Sequence, residues 1–447
     1  MTSKTEREMA LGDRDRVIER VQKVLIEGLR VAPELIDAES PLFGTGLGLD
    51  SVDAVELVVS LEMEFDLSIP EDVAGPRSFR TVGSVADLVM ALAGGREPAW
   101  RGEAGQGDGS PLARQMRALR HSTALFVDER PRVVIVRGER GFAALDRLLP
   151  TDLFLRDGAA RQSLVLDARA RPQADVLVGR REDDHILFAY GADDDTWRLM
   201  LDALRADGAE LEERGLESAL VAIHGPYAWE LLGEALGPDL VPLPYLGVAA
   251  VDLPSRREAL CVRAGRTGEY GYELVVPHAD VDALVGRILD VGAAFDIHRI
   301  GTEALRIAAI ENWFFDAEAV RGLDVTPIEL QLSWRLSPHK PFGGRDALAE
   351  RAEGGRARLT PLTSSAAIAR SDAATFAGRE VGRVIRAAFS PLAGQWVGEA
   401  LVEREHAQPG RALDIGGARA LTVAPPLLDN VSLRVDPRRH TYRERAR

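Results

Sequence analysis

The pattern of hydrophobic and polar positions changes texture near residue 111. Before it, apolar residues recur at helical spacing. Residues 13–29 carry Val17, Val21, Val24 and Leu25, which predicts an amphipathic helix. Asp50-Ser51 opens a second periodic run with Val52, Val55 and Val59, ending near Phe65. A polar stretch with Pro33 and Pro41 separates the two. "SIPEDV" then reads as a turn, and Ser84 stands where it can cap a third helix running through Leu92. The prediction is a small all-helical bundle of roughly 80 residues. Gly94 to Pro111, "GGREPAWRGEAGQGDGSP", is rich in Gly, Pro and charge with little to bury, and reads as a flexible linker.

After Pro111 short β-branched runs alternate with helical ones. "RVVIVRG", "SLVLDARA", "DVLVGR" and "HILFAYG" read as strands, and "GFAALDRLLP" and "DTWRLMLDALRADG" as helices. This is α+β patterning with hairpin-like strand pairs. "GREVGRVIRAAFSP", "QWVGEALVE", "GRALDIGG" and "ARALTVAP" predict a small all-β unit near the end, before a basic, apolar-poor tail. The expected division is a helical domain at 1–93, a linker at 94–111, an α+β domain at 112–355, and a β-barrel domain with basic tail at 356–447.

Composition narrows the class. The 447 residues are too many for one compact core, and 46% hydrophobic with 28% charged is soluble globular material. No apolar run of about 18 residues predicts a membrane span, and "MTSKTEREMALGDRDR" has no apolar h-region of a secretory signal. A single cysteine, Cys261, permits no internal disulfide, so a cytoplasmic location is expected. The formal net charge of -15 argues against nucleic-acid binding, which rests on clustered Lys and Arg. The histidines (His121, His185, His224, His278, His298, His339, His406, His440) show no metal-ligand spacing, and no metal is expected. His224, in "AIHGP" where a strand meets a turn, reads as structural, and Cys261 as a small core residue. "GTGLGLD" precedes a helix rather than sitting in a βαβ unit, so a dinucleotide reading fails its context.

Two stretches carry candidate chemistry. "GLGLDSVDAVEL" places Ser51 at a helix start, where unpaired N–H groups and the positive dipole end would favour an attached phosphodiester. Asp53, Glu56, Glu62 and Glu64 give the following helix an acidic surface suited to basic partners. The bland alternative is an ordinary cap. With the three-helix pattern and the long second loop, the segment resembles an acyl carrier protein over about residues 13–92. Family members carry Asp-Ser-Leu here, with the serine bearing 4'-phosphopantetheine; this chain has Val52 in the third place. The resemblance implies a phosphopantetheinyl transferase and an acyl- or aminoacyl-loading enzyme as partners.

The second stretch, "GRTGEYGYELVVP" (Gly265 to Pro277), is a Gly-rich turn entering a strand, with Tyr270 and Tyr272 at period two and Glu273 on the face opposite Tyr272. A buried carboxylate can hold a planar two-donor edge, and nearby rings can stack on a flat heterocycle. The alternative is a hairpin with a surface Glu and half-buried Tyr. Three further stretches occur with it: "LDRLLPTDLFLRDG" with Asp152, "VTPIELQLSW" with Glu329 and Trp334, and "FSPLAGQWVGEALV". In this order they resemble the glycine-cleavage T-protein superfamily of folate-dependent aminomethyltransferases, over roughly residues 114–435. Its R-T-G-x-x-G-F/Y-E-L pattern is matched by Arg266, Thr267, Gly268, Gly271, Tyr272, Glu273 and Leu274.

That resemblance implies a multidomain chain: a four-helix-type carrier bundle, then an α+β folate-binding fold with a small C-terminal β-barrel. It implies tetrahydrofolate or a one-carbon derivative as cofactor, Asp152 near the reactive folate nitrogens, and Glu273 and Tyr272 at the pterin. Two departures stand out. The family helix "G-A-R-D-x-L-R-L-E" has its first arginine at Thr302 here, its second at Arg306, and Arg299 lies three residues earlier as a substitute. The family's pocket-lining N-terminal segment is replaced by the carrier and linker. Folate binding is therefore left weakened, rebuilt or lost. The implied activity is a folate-dependent one-carbon transferase acting on a group tethered to its own carrier, in specialised biosynthesis. The alternative is a non-catalytic docking or scaffold module presenting the carrier to partner enzymes.

Overall fold

The computed structural model describes residues 14–33, 36–38, 40, 42, 47, 49, 51–70, 79, 81–94, 109–337, 339–352, 355, 357–433, 435–437 and 439–444. Asp50, Gly46, Gly48, the end of "SIPEDV", most of the expected linker, and Arg434, Arg438, Arg445 and Arg447 of the tail lie outside them. The chain divides into two compact units. One holds Met1–Ala113, Ile310–Trp313 and Leu359–Asp429; the other holds Arg114–Ala309, Phe314–Arg358 and Asn430–Arg447.

Helices α1 (Arg14–Glu27), α2 (Ser51–Phe65) and α3 (Val82–Ala93) close around Val17, Val21, Leu25, Leu57, Leu61, Val85 and Leu88. The buried stripe of α2 differs from the expected one at Val55 and Val59; the side chain of Val52 lies outside the described residues. Leu57, Leu61 and Phe65 take the core, and Val55 and Val59 stay 65% and 47% exposed beside Met63 at 74%. Three larger side chains spaced four apart bury more apolar area than the valines on the far side. The N-cap of α3 is Thr81 rather than Ser84; Ser84 occupies the third helical position and closes a capping box with Thr81. Of the acids on α2, Glu62 accepts the Ile69 amide at 2.7 Å and Glu64 pairs with Arg20 at 2.8 Å, so both are used within the bundle.

The second unit follows chain order: α4 (Pro111–His121), β1 (Ala124–Asp128), β2 (Val133–Arg137), α5 (Gly138–Leu148), β3 (Ala160–Leu166), β4 (Pro172–Arg181), β5 (Asp184–Tyr190), α6 (Asp194–Ala206), β6 (Glu210–Glu213), β7 (Ser218–His224), α7 (Ala228–Leu236), β8 (Val248–Asp252), β9 (Glu258–Val262), β10 (Gly271–Pro277), α8 (His278–Gly292), β11 (His298–Arg299), α9 (Thr302–Glu311), α10 (Ala317–Val320) and α11 (Arg345–Ala352). Its strands form two sheets, ordered β11-β1-β7-β10-β9-β8 and β3-β4-β5-β2-β6. All pairings are antiparallel except β1 with β11.

Period two builds four layers. In the first sheet Leu274, Val276, Val221 and Ile223 face α7 and α8, while Val275, Leu220, Val248 and Val262 face the second sheet. In the second sheet Val134, Val136, Val176, Val178 and Leu187 face α5 and α6, while Val133, Leu177, Ile186 and Phe188 face the first. Both faces are covered, so β7 reads as the unbroken run "SALVAIH" with every residue buried.

Strands β12 (Ala357–Ser364), β13 (Ala373–Phe376), β14 (Arg379–Ser390), β15 (Gln395–Glu403), β16 (Ala412–Ile415) and β17 (Ala418–Thr422) close a barrel in the order β12-β15-β14-β13-β16-β17. Its core includes Leu362, Val384, Ala400, Val402 and Ile415. The residues after 429 pack with the sheets. Asn430 donates to the Gly268 carbonyl at 3.0 Å, and Tyr442 meets Tyr227 edge-on with ring centres 5.3 Å apart. Among the described residues, no helix is long and apolar enough to cross a membrane.

Arg120 and Glu269 form an ion pair in which both are buried, and Ser432 donates a second bond to the carboxylate. Arg120→Met removes the arginine from the buried Glu269 carboxylate. It is expected to destabilise this unit by about 3–5 kcal/mol, measured by denaturant unfolding followed by tryptophan fluorescence; a loss within about 0.5 kcal/mol, the size of a surface change, would count against that role.

Candidate functional site

A polar cluster interrupts the apolar layer between the two sheets. Strand parity builds it. On β10, Glu273 shares its face with Val275; on β4, Asp175 shares its face with Leu177; on β5, Tyr190 follows Ile186 and Phe188 at period two. Asp175 and Tyr190 are register partners, and Gln162 on β3 lies opposite Leu177. All four side chains therefore project between the sheets.

The cluster closes through side chains from loops. Tyr190 donates its hydroxyl to Glu273 Oε2 at 2.5 Å. Arg266, on the turn before β10, brings Nε to 3.5 Å from Glu273 Oε1, with its guanidinium 4.9 Å from the Tyr190 ring centre and 5.6 Å from that of Phe126. Arg335 donates to Asp175 Oδ1 at 2.5 Å, reaches Gln162 at 3.4 Å, and lies 4.9 Å from the ring centre of Trp334. Trp334 itself is 66% exposed.

Burial shifts the titration of these groups. It raises the Glu273 and Asp175 carboxyls above the ordinary value, against the opposing pull of Arg266 and Arg335 respectively. It raises the Tyr190 phenol well above its ordinary value, with the Glu273 charge adding to the effect. A small cavity of about 130 Å³ opens beside the cluster, lined by Asp128, Arg130, Arg132, Phe188, Tyr190 and Arg266 among others. Glu273 is fully buried and does not line it.

Comparison with known proteins fixes what this fold is. A family model described as the GCVT N-terminal domain matches residues 89–340. The chain belongs to the glycine-cleavage T-protein family. The C-terminal barrel domain of the glycine cleavage T-protein matches residues 357–429, and a phosphopantetheine attachment site matches residues 19–89. An aminomethyltransferase of Geobacillus thermodenitrificans is 30% identical over 328 residues, covering 71% of this chain and 89% of that protein. One of Desulfitobacterium hafniense is 27% identical over 310 residues, covering 67% and 84%. The crystal structure of the glycine cleavage system aminomethyltransferase T from Bartonella henselae superposes with a TM-score of 0.62 at 22% identity, covering 72% of this chain and 91% of that one. The chain is an acyl carrier domain fused to a T-protein-type body and barrel.

Within the T-protein body the residues singled out from sequence fall in different places. Glu273 is in the inter-sheet cluster, not on the surface of a hairpin. Tyr272 is fully buried on the opposite face, among the core residues under α7 and α8, where burial raises its phenol. Arg299, exposed on β11, pairs with Leu125, which pairs with Ile223, which pairs with Tyr272. It thus lies on the Tyr272 face, three strand spacings or roughly 14 Å from β10. Strand alternation keeps both away from Glu273. Arg306 is exposed and pairs with Glu318 at 2.9 Å. Glu329 is tied to its own turn, accepting the Thr326 amide at 2.9 Å.

Asp152 is exposed on the turn after α5, accepting the Phe154 amide at 2.9 Å. Its neighbour Thr151 donates to the Arg335 carbonyl and lies 2.7 Å from the Ser163 hydroxyl, while Lys340 donates to the Thr151 carbonyl at 2.9 Å. Arg335 therefore ties the Asp152 turn to Asp175. Ser51 is the first residue of α2. In the barrel, Glu403, Glu405 and His406 come together, but Arg379 already sits among them, 2.7 Å from Glu403 and 3.1 Å from Glu405, and supplies the positive charge.

Sequence reasoning missed Asp175, Tyr190 and Arg335. The first two had a signal: a carboxylate and a phenol at inward parity in apolar strands. Arg335 had none, because it comes from a single 3-10 turn, Ser333–Arg335, too short to show a period.

His224 ends β7 fully buried, with both ring nitrogens lacking a hydrogen bond, and burial with the nearby Arg266 charge pushes it down to about 3. Gly225 follows at φ 114, where a Cβ would meet the Ser122 carbonyl at 2.4 Å. A depressed folded pKa means that stability is full above the ordinary value of 6.5 and is lost as pH falls toward 3. Between pH 6.5 and 4.5, His224→Leu is expected to remove a loss of about 1.4 kcal/mol per pH unit, read from denaturant midpoints at the two pH values. Equal pH slopes in both proteins would refute it.

Proposed function

We propose that this chain is a folate-dependent one-carbon transferase working on an acyl or aminoacyl group tethered to its own carrier domain. The observation that carries the reading is that a phosphopantetheine attachment domain, a T-protein body and a T-protein barrel lie on one chain. Ser51 would hold the 4'-phosphopantetheine. The acyl-loading enzyme and the phosphopantetheinyl transferase would be separate partners acting in the cytoplasm, within a specialised biosynthetic route. The domain limits 1–93, 112–355 and 356–447, with a linker at 94–111, describe this division of labour.

For the folate, the residues fit at one edge. Glu273 Oε1 is a buried acceptor without a hydrogen bond, and a pterin presents paired N–H donors of the kind a carboxylate takes. Tyr272 and Arg299 lie on the other face of the sheet, so the support for pterin recognition rests on Glu273. Bound tetrahydrofolate would supply or accept the one-carbon unit. Asp152, exposed on its turn and braced through Thr151 and Arg335, would take or return a proton at the reacting nitrogen or nucleophile. Arg335 and Trp334 would keep that turn in place and offer an exposed ring for stacking.

A second reading is a non-catalytic module that presents the carrier to partner enzymes. It draws support from Glu273 being covered by Tyr190 and Arg266.

A phosphopantetheinyl transferase with coenzyme A is expected to add one phosphopantetheine, and Ser51→Ala to abolish the addition, as read by intact mass. An arm mapped to another residue would refute it. Glu273→Gln is expected to weaken tetrahydrofolate binding roughly tenfold or more, since a charge-assisted bond is worth about 1.5–3 kcal/mol. Calorimetry that finds no binding to the wild type at millimolar ligand would leave the presenting-module reading in its place.

A further inference from the structure

Glu273 and Arg266 meet in an incomplete way. A guanidinium facing a carboxylate ordinarily makes two short parallel bonds. Here Nε stands 3.5 Å from Oε1, and that oxygen, together with the buried Nε and Nη2 of Arg266, makes no hydrogen bond. The carboxylate is fully buried, so its second partner is the Tyr190 hydroxyl. The Glu273 carboxylate is therefore taken out of water, facing a half-buried Arg266, with only part of the compensation that a close pair gives.

The position of Arg266 is informative. It sits on the turn before β10, outside the strand ladder, so its side chain can re-aim without breaking a strand hydrogen bond. Its guanidinium is a flat N–C–N cation lying against Tyr190 and Phe126. Arg266 and Tyr190 line the 130 Å³ cavity, and Glu273, which both contact, does not. The two side chains are the wall between the cavity and the carboxylate. A planar heterocycle with two adjacent N–H donors, entering from the cavity, would meet Glu273 at the place that the guanidinium now fills.

We propose that Arg266 is a displaceable internal occupant of the Glu273 carboxylate, a specificity-determining residue that a pterin-type N–C–N edge must push aside to bind. The proposal rests on the folate reading of this site. It makes Arg266 a competitor of the ligand rather than a contact to it. A seat filled nine-tenths of the time by the protein's own guanidinium lowers apparent affinity roughly tenfold.

The test is anaerobic calorimetry of tetrahydrofolate with the full chain, for the wild type, Arg266→Ala, Arg266→Lys and Arg266→Ala with Glu273→Gln. Arg266→Ala is expected to bind roughly tenfold tighter than wild type, Arg266→Lys to gain less, and the double change to lose the gain. Circular dichroism and the melting temperature report whether each variant is folded, and Arg266→Lys decides the matter if Arg266→Ala is not. Folded variants that bind equally or more weakly, where the wild type binds, overturn the competitor role and leave the folate reading standing. No binding by the wild type or any variant overturns the folate reading, and this proposal with it.

Discussion

A carboxylate in a closed layer between two sheets has to be compensated, and the chemistry of the T-protein body is arranged around that need. Glu273 is fully buried, and leaving its charge unpaired there would cost several kcal/mol. Tyr190 from the facing sheet and Arg266 from the adjoining turn answer it from two sides. Asp175, the register partner of Tyr190, brings the same demand, met by Arg335. Arg335 in turn holds the Thr151 hydroxyl through its own carbonyl, so the exposed Asp152 is placed by a chain of bonds that starts in the layer. Carboxylates in the apolar layer thus order the loops at its end.

Much of this architecture was legible in the sequence because period and burial agree. "RVVIVRG", "DVLVGR" and "HILFAYG" appear as β2, β4 and β5, and "GFAALDRLLP" gives α5. Barrel strands β14 to β17 likewise fall where alternation and turn residues put them, whereas β12 and β13 were not read from the sequence. What could not be read was which face of an amphipathic segment the rest of the chain would cover. In α2 both the valine stripe and the Leu57–Phe65 stripe are apolar, and only packing against α1 and α3 decides between them. The capping residue of α3 moved from Ser84 to Thr81 for a local reason: both residues belong to one capping box, and pattern alone does not say which is outside the helix.

The candidate site was legible to the same depth. Strand alternation put Tyr272 and Glu273 on opposite faces, and they are so placed. Grouping Tyr272 and Arg299 with Glu273 needed knowledge of strand order, which sequence does not carry: β1 and β7 lie between β11 and β10. Arg335 and Arg266 come from turns, where no periodicity marks a side chain as inward. A charged residue at inward parity, as at Asp175, is the signal that could have been used, since such a residue demands a partner from elsewhere in the chain.

The fusion and the closed carboxylate bear on the same question in the proposed reading. A substrate on a pantetheine arm is held near the transferase at an effective concentration of order millimolar, whatever its intrinsic affinity. The folate has no tether and must bind from solution. A seat that the protein fills itself therefore weighs on the folate and leaves the tethered substrate untouched. It also keeps the buried Glu273 compensated whenever the cavity is empty, so the body need not unfold locally between turnovers. Compensation by an arginine on a turn instead of a strand residue is what reconciles the two demands. The charge is paired in the empty protein, and the pairing is loose enough, at 3.5 Å without a hydrogen bond, to yield to a planar edge that makes both bonds.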